Sequence, residues 1–132
     1  MDLEILKIAS NTDNYKVIKN HTHSSKNKNP ICGDEMQISL IVENNQIVDF
    51  GYQCKSCVYC QASVSLLSRK VIQLPIKKIL NLLTNSEFFF DENKTKNVEE
   101  WKSFKKIMNT KNISRKECLL LPFKTLYKAL NS

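Results

Sequence analysis

Two alternating segments joined by a pair of asparagines constrain the fold of this chain more than any other feature. Residues 36–43 (MQISLIVE) alternate between apolar and polar side chains, as a half-buried strand does, and residues 46–53 (QIVDFGYQ) suit a returning strand. Asn44 and Asn45 between them suit a tight turn, because asparagine tolerates a positive φ. The pattern therefore predicts a β-hairpin. The apolar residues on one face of its first strand are Met36, Ile38, Leu40 and Val42.

The segments on either side of the hairpin have different patterns. Residues 2–9 suit a short amphipathic helix, a short strand is expected around Tyr15–Ile18, and residues 20–30 are expected to form a loop. After the hairpin the spacing of apolar residues becomes helical. Helices are expected from Cys57 to shortly before Pro75, over residues 76–83 and 98–108, and from near Ser114.

The start of the last helix has a local signature. Ser114 and Glu117 match a capping box, which places Cys118 in the first helical turn. Pro122 removes the hydrogen bond that the Cys118 carbonyl would accept, so a kink is expected there.

Strands that come early and helices that come late predict an α+β fold. We expect a small antiparallel sheet of about three strands with several helices packed on one face. The length of 132 residues predicts one domain over residues 1–132.

Five cysteines in a chain of this size require a chemical explanation. The N-terminal segment has acidic residues where a signal peptide would be basic, and no stretch is long enough to span a membrane. The expected location is therefore the cytoplasm, where thiols stay reduced. The cysteines are better explained there as ligands or nucleophiles than as a disulfide framework.

The charge is uneven along the chain. Of the formal net charge of +7, residues 1–65 contribute −1 and residues 66–132 contribute +8. A zinc-binding nucleic-acid module would explain both the basic half and the clustered cysteines. It is disfavoured, however, because the lysines are scattered through helical patterns and the two separate CxxC pairs of a zinc ribbon are absent.

Three cysteines and one aspartate fall at the ends of predicted elements. Cys32 and Asp34 flank Gly33 before the hairpin, Cys57 precedes the helix that follows it, and Cys118 begins the last helix. A helix N-terminus favours thiolate over thiol, and thiolates bind soft metals and attack persulfide sulfur. Three thiolates and one carboxylate would form a tetrahedral set acceptable to zinc or to cluster iron.

The motifs around these residues resemble those of the U-type iron–sulfur scaffold family, which comprises the NifU N-terminal domain, IscU and SufU. The most specific are the CGD sequence after a proline and the cysteine placed five residues before Ala-Ser-x-Ser. The full set is Asn29-Pro30-Ile31-Cys32-Gly33-Asp34-Glu35, Val48-Asp49-Phe50, Cys57 to Ser65, and Arg115-Lys116-Glu117-Cys118 followed by Leu121.

The resemblance implies a SufE/NifU-like fold and an iron–sulfur scaffold that accepts sulfur from a cysteine desulfurase and transfers a labile [2Fe–2S] cluster to apoproteins. It implies that Cys32, Asp34, Cys57 and Cys118 bind the metal or cluster, with Arg115 nearby. The long gap before Cys118, and Glu117 in place of a histidine, are closest to SufU. A zinc-dependent sulfurtransferase is therefore the alternative function. A scaffold is favoured over a catalyst, and a homodimer is left open.

A persulfide acceptor must be a reachable thiolate on a segment that can move. Cys118 is our first prediction for this role, because Pro122 partly uncouples the first turn and Arg115 favours its thiolate. Cys32, on the loop beside Gly33, is the second.

Four further residues have metal-binding or redox chemistry. Cys54 and Cys60 depart from the family pattern and are either sulfur-handling thiols or buried hydrophobic residues. His21 and His23 are spaced like alternate strand residues, but nothing pairs with them in sequence, so surface positions are expected.

Overall fold

The computed structural model describes residues 3–30, 33–90 and 99–131, and all structural statements below concern these ranges. The strands are β1 (His23–Lys28), β2 (Glu35–Glu43) and β3 (Gln46–Lys55). The α-helices are α1 (Leu3–Ala9), α2 (Val58–Val71), α3 (Ile76–Thr84) and α4 (Lys116–Leu130). Three 3₁₀ helices lie between α3 and α4, over Ser86–Phe90, Glu99–Lys106 and Thr110–Arg115.

The β2–β3 hairpin forms as its sequence predicts. Asn44 and Asn45 have φ angles of 54° and 62°, which is the paired positive φ of a two-residue turn that matches the twist of the strands. The sheet is antiparallel throughout, in the order β1-β2-β3. The face turned toward the helices is apolar. Its fully or almost fully buried residues in β2 and β3 are Met36, Ile38, Leu40, Ile47, Phe50 and Tyr52.

The third strand of the sheet does not lie where the sequence predicts it. Residues 23–28 were expected within a loop, but they form β1 and pair with β2 from His23↔Leu40 to Lys28↔Glu35. Tyr15 makes only an isolated bridge to Tyr52. The sequence of β1, HSSKNK, has no apolar residue, because the strand lies at an edge and one face is exposed. Hydrophobic alternation therefore could not reveal it.

The segment before β1 packs on the face of the sheet that is turned away from the helices. A Cβ atom on Gly51 would lie 2.7 Å from the carbonyl oxygen of Lys16, so the glycine allows this close approach. The backbone N–H of Ile18 donates to Ser39 Oγ over 3.1 Å, and both residues are buried. The side chain of Ser39, polar in the alternating pattern, is thus satisfied under this segment.

Helices α2 and α4 cover the apolar face and contact each other. Ser63 Oγ of α2 donates to the carbonyl oxygen of Leu119 in α4 over 2.6 Å, and both residues are fully buried. Ser25 Oγ of β1 donates to the carbonyl oxygen of Thr125 over 2.6 Å. These bonds fix α4 against both α2 and the sheet. The first turn of α4 therefore has a defined position relative to the start of α2.

Helix predictions for the C-terminal half are correct for α3 and α4 but less so between them. The α-helix expected over residues 98–108 is a 3₁₀ helix over Glu99–Lys106, and Val98 lies outside the described residues. Of the three phenylalanines before this helix, Phe89 and Phe90 are buried in the core, whereas Phe88 is 41% exposed. Phe89 stacks on Phe104 with ring centroids 5.7 Å apart, and both rings pack edge-on to Phe123.

The predicted capping box is wrong. Ser114 lies inside the 3₁₀ helix Thr110–Arg115, and Arg115 occupies the N-cap of α4 without a side-chain cap. The N–H of Lys116 already donates to the carbonyl oxygen of Ile113, because the 3₁₀ helix runs directly into α4. The placement of Cys118 in the first turn of α4 is correct, and α4 continues through Pro122.

The α+β architecture, with a three-stranded antiparallel sheet and helices packed on one face, is confirmed. Within the described ranges, no helix has both the length and the apolar character that crossing a bilayer requires.

Candidate metal centre

The register of the hairpin brings two of the predicted site residues to the same edge of the sheet. Glu35 at the start of β2 pairs with Lys55 at the end of β3. Asp34 immediately precedes the first of these residues, and Cys57 follows the second by two positions. The antiparallel pairing therefore makes Asp34 and Cys57 neighbours although 23 positions separate them in sequence.

A closed loop holds Asp34 in place. The N–H of Asn29 donates to the carbonyl oxygen of Asp34, and the N–H of Gly33 donates to that of Asn29, each over 2.8 Å. Gly33 has a φ of +77°, in the region that L-residues with a side chain rarely adopt, so its missing Cβ permits the bend. The Asp34 side chain is only 7% exposed.

Cys57 occupies the N-cap of α2. Its carbonyl accepts the N–H of Gln61 over 3.1 Å, and its own backbone is extended, with a φ of −71° and a ψ of 166°. Its side chain makes no capping hydrogen bond, so the sulfur is left to other partners. The Cys57 sulfur therefore lies at the end of α2 that carries the partial positive charge of the helix dipole.

Cys118 reaches the same place from the first turn of α4. The bond between Ser63 and Leu119 holds this turn against α2. The guanidinium carbon of Arg115 lies 5.1 Å from the centre of the Tyr59 ring in α2, a cation–π contact between the two helix starts. Unlike α2, α4 follows directly on a 3₁₀ helix, so the charge of a free helix N-terminus acts on Cys57 more than on Cys118.

The ligand atoms of Asp34, Cys57 and Cys118 all lie within 4.8 Å of one another. Asp34 and Cys118 are each only 7% exposed, and Cys57 is half-buried. The Asp34 Oδ2 atom is buried and has no hydrogen-bond partner. A buried carboxylate oxygen without a partner is costly unless a cation satisfies it. Two sulfurs and one oxygen at this spacing fit three corners of a tetrahedral metal site.

Cys32, the fourth predicted ligand, lies outside the described residues. Its place in the set follows from the sequence alone, in which it stands one residue before Gly33.

Cys54 and Cys60 lie close to this group but are not members of it. Burial raises the pKa of the Cys54 thiol, and the negative charges of Asp34 and Cys57 add to that rise. Burial also raises the pKa of Cys60, whose side chain is fully buried. Ser56 Oγ is near both the Cys54 and the Cys60 thiol and lowers the pKa of each, but burial has the larger effect. Ser56 Oγ itself makes no hydrogen bond of acceptable geometry.

The two histidines do not join the group. His21 is exposed, and His23 lies in β1 with its Nδ1 atom 2.8 Å from Thr22 Oγ1. His21 thus has the surface position that was expected, whereas His23 is half-buried.

Two residues near the centre had no assigned role in the sequence. Ser63 belongs to the Ala-Ser-x-Ser motif, and its hydrogen bond to the Leu119 carbonyl holds the start of α4 against α2. Ser56 directly precedes Cys57, and its side chain lies near the thiols of Cys54 and Cys60. No periodic pattern in the sequence could have indicated this position. For Ser63, the sequence offered one indication of such a role, namely a small polar residue on an otherwise apolar face of the predicted helix.

Comparison with known proteins decides the family. The model of the NifU-like N-terminal domain matches residues 2–113. This chain belongs to that family. The resemblance found in the sequence is therefore confirmed, although the match ends before Cys118.

Curated relatives of this NifU-like domain agree with the assignment. The iron–sulfur cluster assembly scaffold protein IscU of Thermotoga maritima is 34% identical over 108 residues, which cover 78% of this chain and 72% of that protein. An uncharacterised protein of Borreliella burgdorferi is 30% identical over 133 residues, covering 98% of this chain and 88% of its own.

Solved structures share the fold. A protein of Fervidobacterium islandicum, assigned as an iron–sulfur cluster assembly scaffold for the SUF system, superposes with a TM-score of 0.84 at 24% identity, covering 98% of this chain and 96% of that one. The N-terminal part of a nitrogen-fixing NifU-like protein from Brucella abortus superposes with a TM-score of 0.77 at 19% identity, covering 98% and 91%.

Proposed function

We propose that this NifU-like domain is an iron–sulfur cluster assembly scaffold. It accepts sulfur from a cysteine desulfurase, assembles a labile [2Fe–2S] cluster and transfers it to recipient apoproteins. The observation that carries the proposal is the convergence of Asp34, Cys57 and Cys118 within 4.8 Å, in a protein of this family. Cys32 is the proposed fourth ligand.

The mixed donor set suits a cluster that must leave again. Thiolates are soft ligands that hold iron well, whereas a carboxylate oxygen is harder and a weaker partner for cluster iron. Asp34 is therefore the ligand that dissociates first. Its burial keeps water from replacing it prematurely.

Sulfur enters through a cysteine persulfide, for which we propose Cys118 as the acceptor and Cys32 as the alternative. Because Cys118 is only 7% exposed and the Ser63–Leu119 bond holds its turn against α2, the proposal requires this turn to open toward the donor. Mass spectrometry after incubation with a desulfurase and cysteine would locate the added sulfur in each single Cys→Ser protein. Loss of the modification in Cys118→Ser supports this assignment. Uptake at the normal rate in Cys118→Ser contradicts it and makes Cys32 the next residue to test.

A zinc-dependent sulfurtransferase is the second candidate, favoured by the compactness of the group. Three ligand atoms within 4.8 Å fit one tetrahedral ion, whereas a [2Fe–2S] cluster divides its ligands between two irons. Zinc at this centre would hold the ligands as thiolates and fix their positions.

One experiment separates the two candidates. Protein purified without oxygen is analysed for metal, then reconstituted with iron and sulfide under anaerobic conditions. A scaffold acquires the visible absorption of a [2Fe–2S] cluster and passes the cluster to an apo-ferredoxin. A zinc protein contains about one equivalent of zinc as isolated and acquires no transferable cluster, a result that would contradict the scaffold proposal.

A further inference from the structure

Cys57 and Cys60 form a CxxC sequence at the N-terminus of α2, a helix of 14 residues. Cys57 is the N-cap and Cys60 is the third helical residue. These two positions face each other, as the reciprocal contacts of a capping box show. Helix geometry separates their Cα atoms by about 5 Å, which lies within the usual range for a disulfide.

We propose that Cys60 is a resolving thiol that attacks a persulfide on Cys57, forms a Cys57–Cys60 disulfide and releases sulfide. This inference rests on the proposed function, because a desulfurase must first supply the sulfur. It gives the scaffold its own way to turn persulfide sulfur into the sulfide that a cluster contains.

The sulfur reaches Cys57 from Cys118, whose Sγ atom lies within 4.8 Å of that of Cys57. The Cys57 thiolate attacks the outer sulfur of the Cys118 persulfide, and the Cys118 sulfur leaves as a thiolate. Persulfide is thus exchanged between two neighbouring residues. No electron is gained or lost by the pair in this step.

The second step also balances. The Cys60 sulfur bonds to the inner sulfur of the Cys57 persulfide, and the bond to the outer sulfur breaks. The outer sulfur leaves with its own proton and the proton of Cys60, as hydrogen sulfide. It is reduced while the Cys60 sulfur is oxidised, so no external oxidant is needed, and a dithiol reductant afterwards restores both thiols.

The environments of the two thiols differ as these roles require. Cys57 is half-buried and belongs to the metal centre, whereas Cys60 is 0% exposed. Cys60 is therefore shielded from solvent reagents, and its attacking thiolate forms as its proton passes to the departing sulfide. Attack by Cys60 on a Cys57 persulfide is intramolecular, and such reactions proceed at very high effective concentrations.

Cys54 is too far along an extended segment to form a disulfide with Cys57. Cys54 has the same spacing on the opposite side, but it lies in β3, and no turn separates it from the extended Cys57. Extended residues advance about 3.3 Å each, so three steps give about 10 Å, which is beyond the disulfide range. Cys54 therefore provides a matched control.

The first test needs no sulfur donor. Metal-free protein is equilibrated with dithiothreitol redox buffers, digested with trypsin and examined by mass spectrometry. Cleavage after Lys55 and Arg69 leaves Cys57 and Cys60 in one peptide and Cys54 in another. A Cys57–Cys60 disulfide makes peptide 56–69 lighter by two hydrogens, whereas a disulfide from Cys54 to either Cys57 or Cys60 crosslinks two peptides and would overturn the proposal.

The second test follows sulfide. Protein loaded with sulfane sulfur from inorganic polysulfide is desalted, and released sulfide is measured for the wild type, Cys60→Ala and Cys54→Ala, with circular dichroism to confirm folding. We expect Cys60→Ala to retain persulfide at least about tenfold longer, since intramolecular attack is lost, and Cys54→Ala to match the wild type. Equal release from wild type and Cys60→Ala would overturn the proposal. If the wild type acquires no persulfide, the result contradicts the proposed function instead. The redox test then shows by itself whether Cys57 and Cys60 can form a disulfide.

Discussion

The two ends of the β2–β3 hairpin are built from the same strands but differ in how their polar groups are satisfied. At the turn end, the carbonyl of Asn45 accepts the N–H of Ile76 over 2.8 Å, and that of Ile47 accepts the N–H of Gln73 over 2.6 Å. At the other end, Asp34 Oδ2 and Ser56 Oγ are buried without a hydrogen-bond partner.

This difference indicates that the turn end stabilises the fold and that the other end serves the proposed function. Three buried side-chain oxygens of the described residues have no hydrogen-bond partner, and two of them, Asp34 Oδ2 and Ser56 Oγ, lie at this end of the hairpin. The proposed metal or sulfur species would satisfy these two. The turn end should therefore govern stability and leave metal binding unchanged. The site end should govern metal binding at little cost in stability.

The largest effect is expected from Cys57→Ser. Loss of a thiolate from the proposed metal centre should weaken zinc or iron binding by more than about 100-fold, since residues that only orient ligands already contribute about 10- to 100-fold. Competition with a chromogenic chelator measures the affinity. Cys54→Ser is the control, and equal losses in both variants would contradict the assignment of Cys57.

A smaller loss is expected from Ser63→Ala. Without the hydroxyl that binds the Leu119 carbonyl, α4 is held less firmly against α2, and Cys118 with it. Metal affinity should fall about tenfold, and the free energy of unfolding of the metal-free protein by about 1 kcal/mol. Chemical denaturation and the same competition assay give both values. Unchanged affinity would show that Ser63 serves packing alone.

Asp34→Ala is expected to affect mainly the rate at which a bound cluster is released. Transfer of a reconstituted cluster to an apoprotein should slow several-fold, because the weakest ligand has gone. The metal-free protein should not lose stability, since an unsatisfied carboxylate oxygen is removed with the side chain. Glu35→Ala, at the exposed neighbouring carboxylate, is the control for transfer kinetics. Identical kinetics in the two variants would contradict the role of Asp34.

The turn end gives the smallest effect and no effect on the metal. Asn45→Ala should lower the free energy of unfolding by about 1 kcal/mol, because alanine is disfavoured at a positive φ. Asn45→Gly should restore or exceed the original stability. A change in metal affinity in either variant would show that the two ends are coupled.

The same contrast explains what could be predicted from the sequence. The hairpin turn, α2 and α3 have local signals, namely paired asparagines, helical apolar spacing and Pro75 before α3, and they form as predicted. Strand β1 has no apolar residue and forms through pairing with β2, so only the tertiary structure defines it. The start of α4 was misassigned because Ser114 and Glu117 match a capping pattern that the preceding 3₁₀ helix makes unnecessary.

The site was predicted from motifs, and its assembly depends on long-range contacts. The register that makes Asp34 and Cys57 neighbours follows from the predicted hairpin. The approach of Cys118 depends on the bond between Ser63 and Leu119, between residues 56 positions apart, which no local pattern specifies.

The most direct test of the account is where a bound metal ion lies. A crystal of the protein grown anaerobically with zinc or ferrous iron gives an anomalous difference map at the absorption edge of that metal. We predict one strong peak within coordination distance of Cys57 Sγ, Cys118 Sγ and the Asp34 carboxylate. A peak at His21 and His23, or no peak near Cys57 at full metal occupancy, would contradict the assignment of this centre.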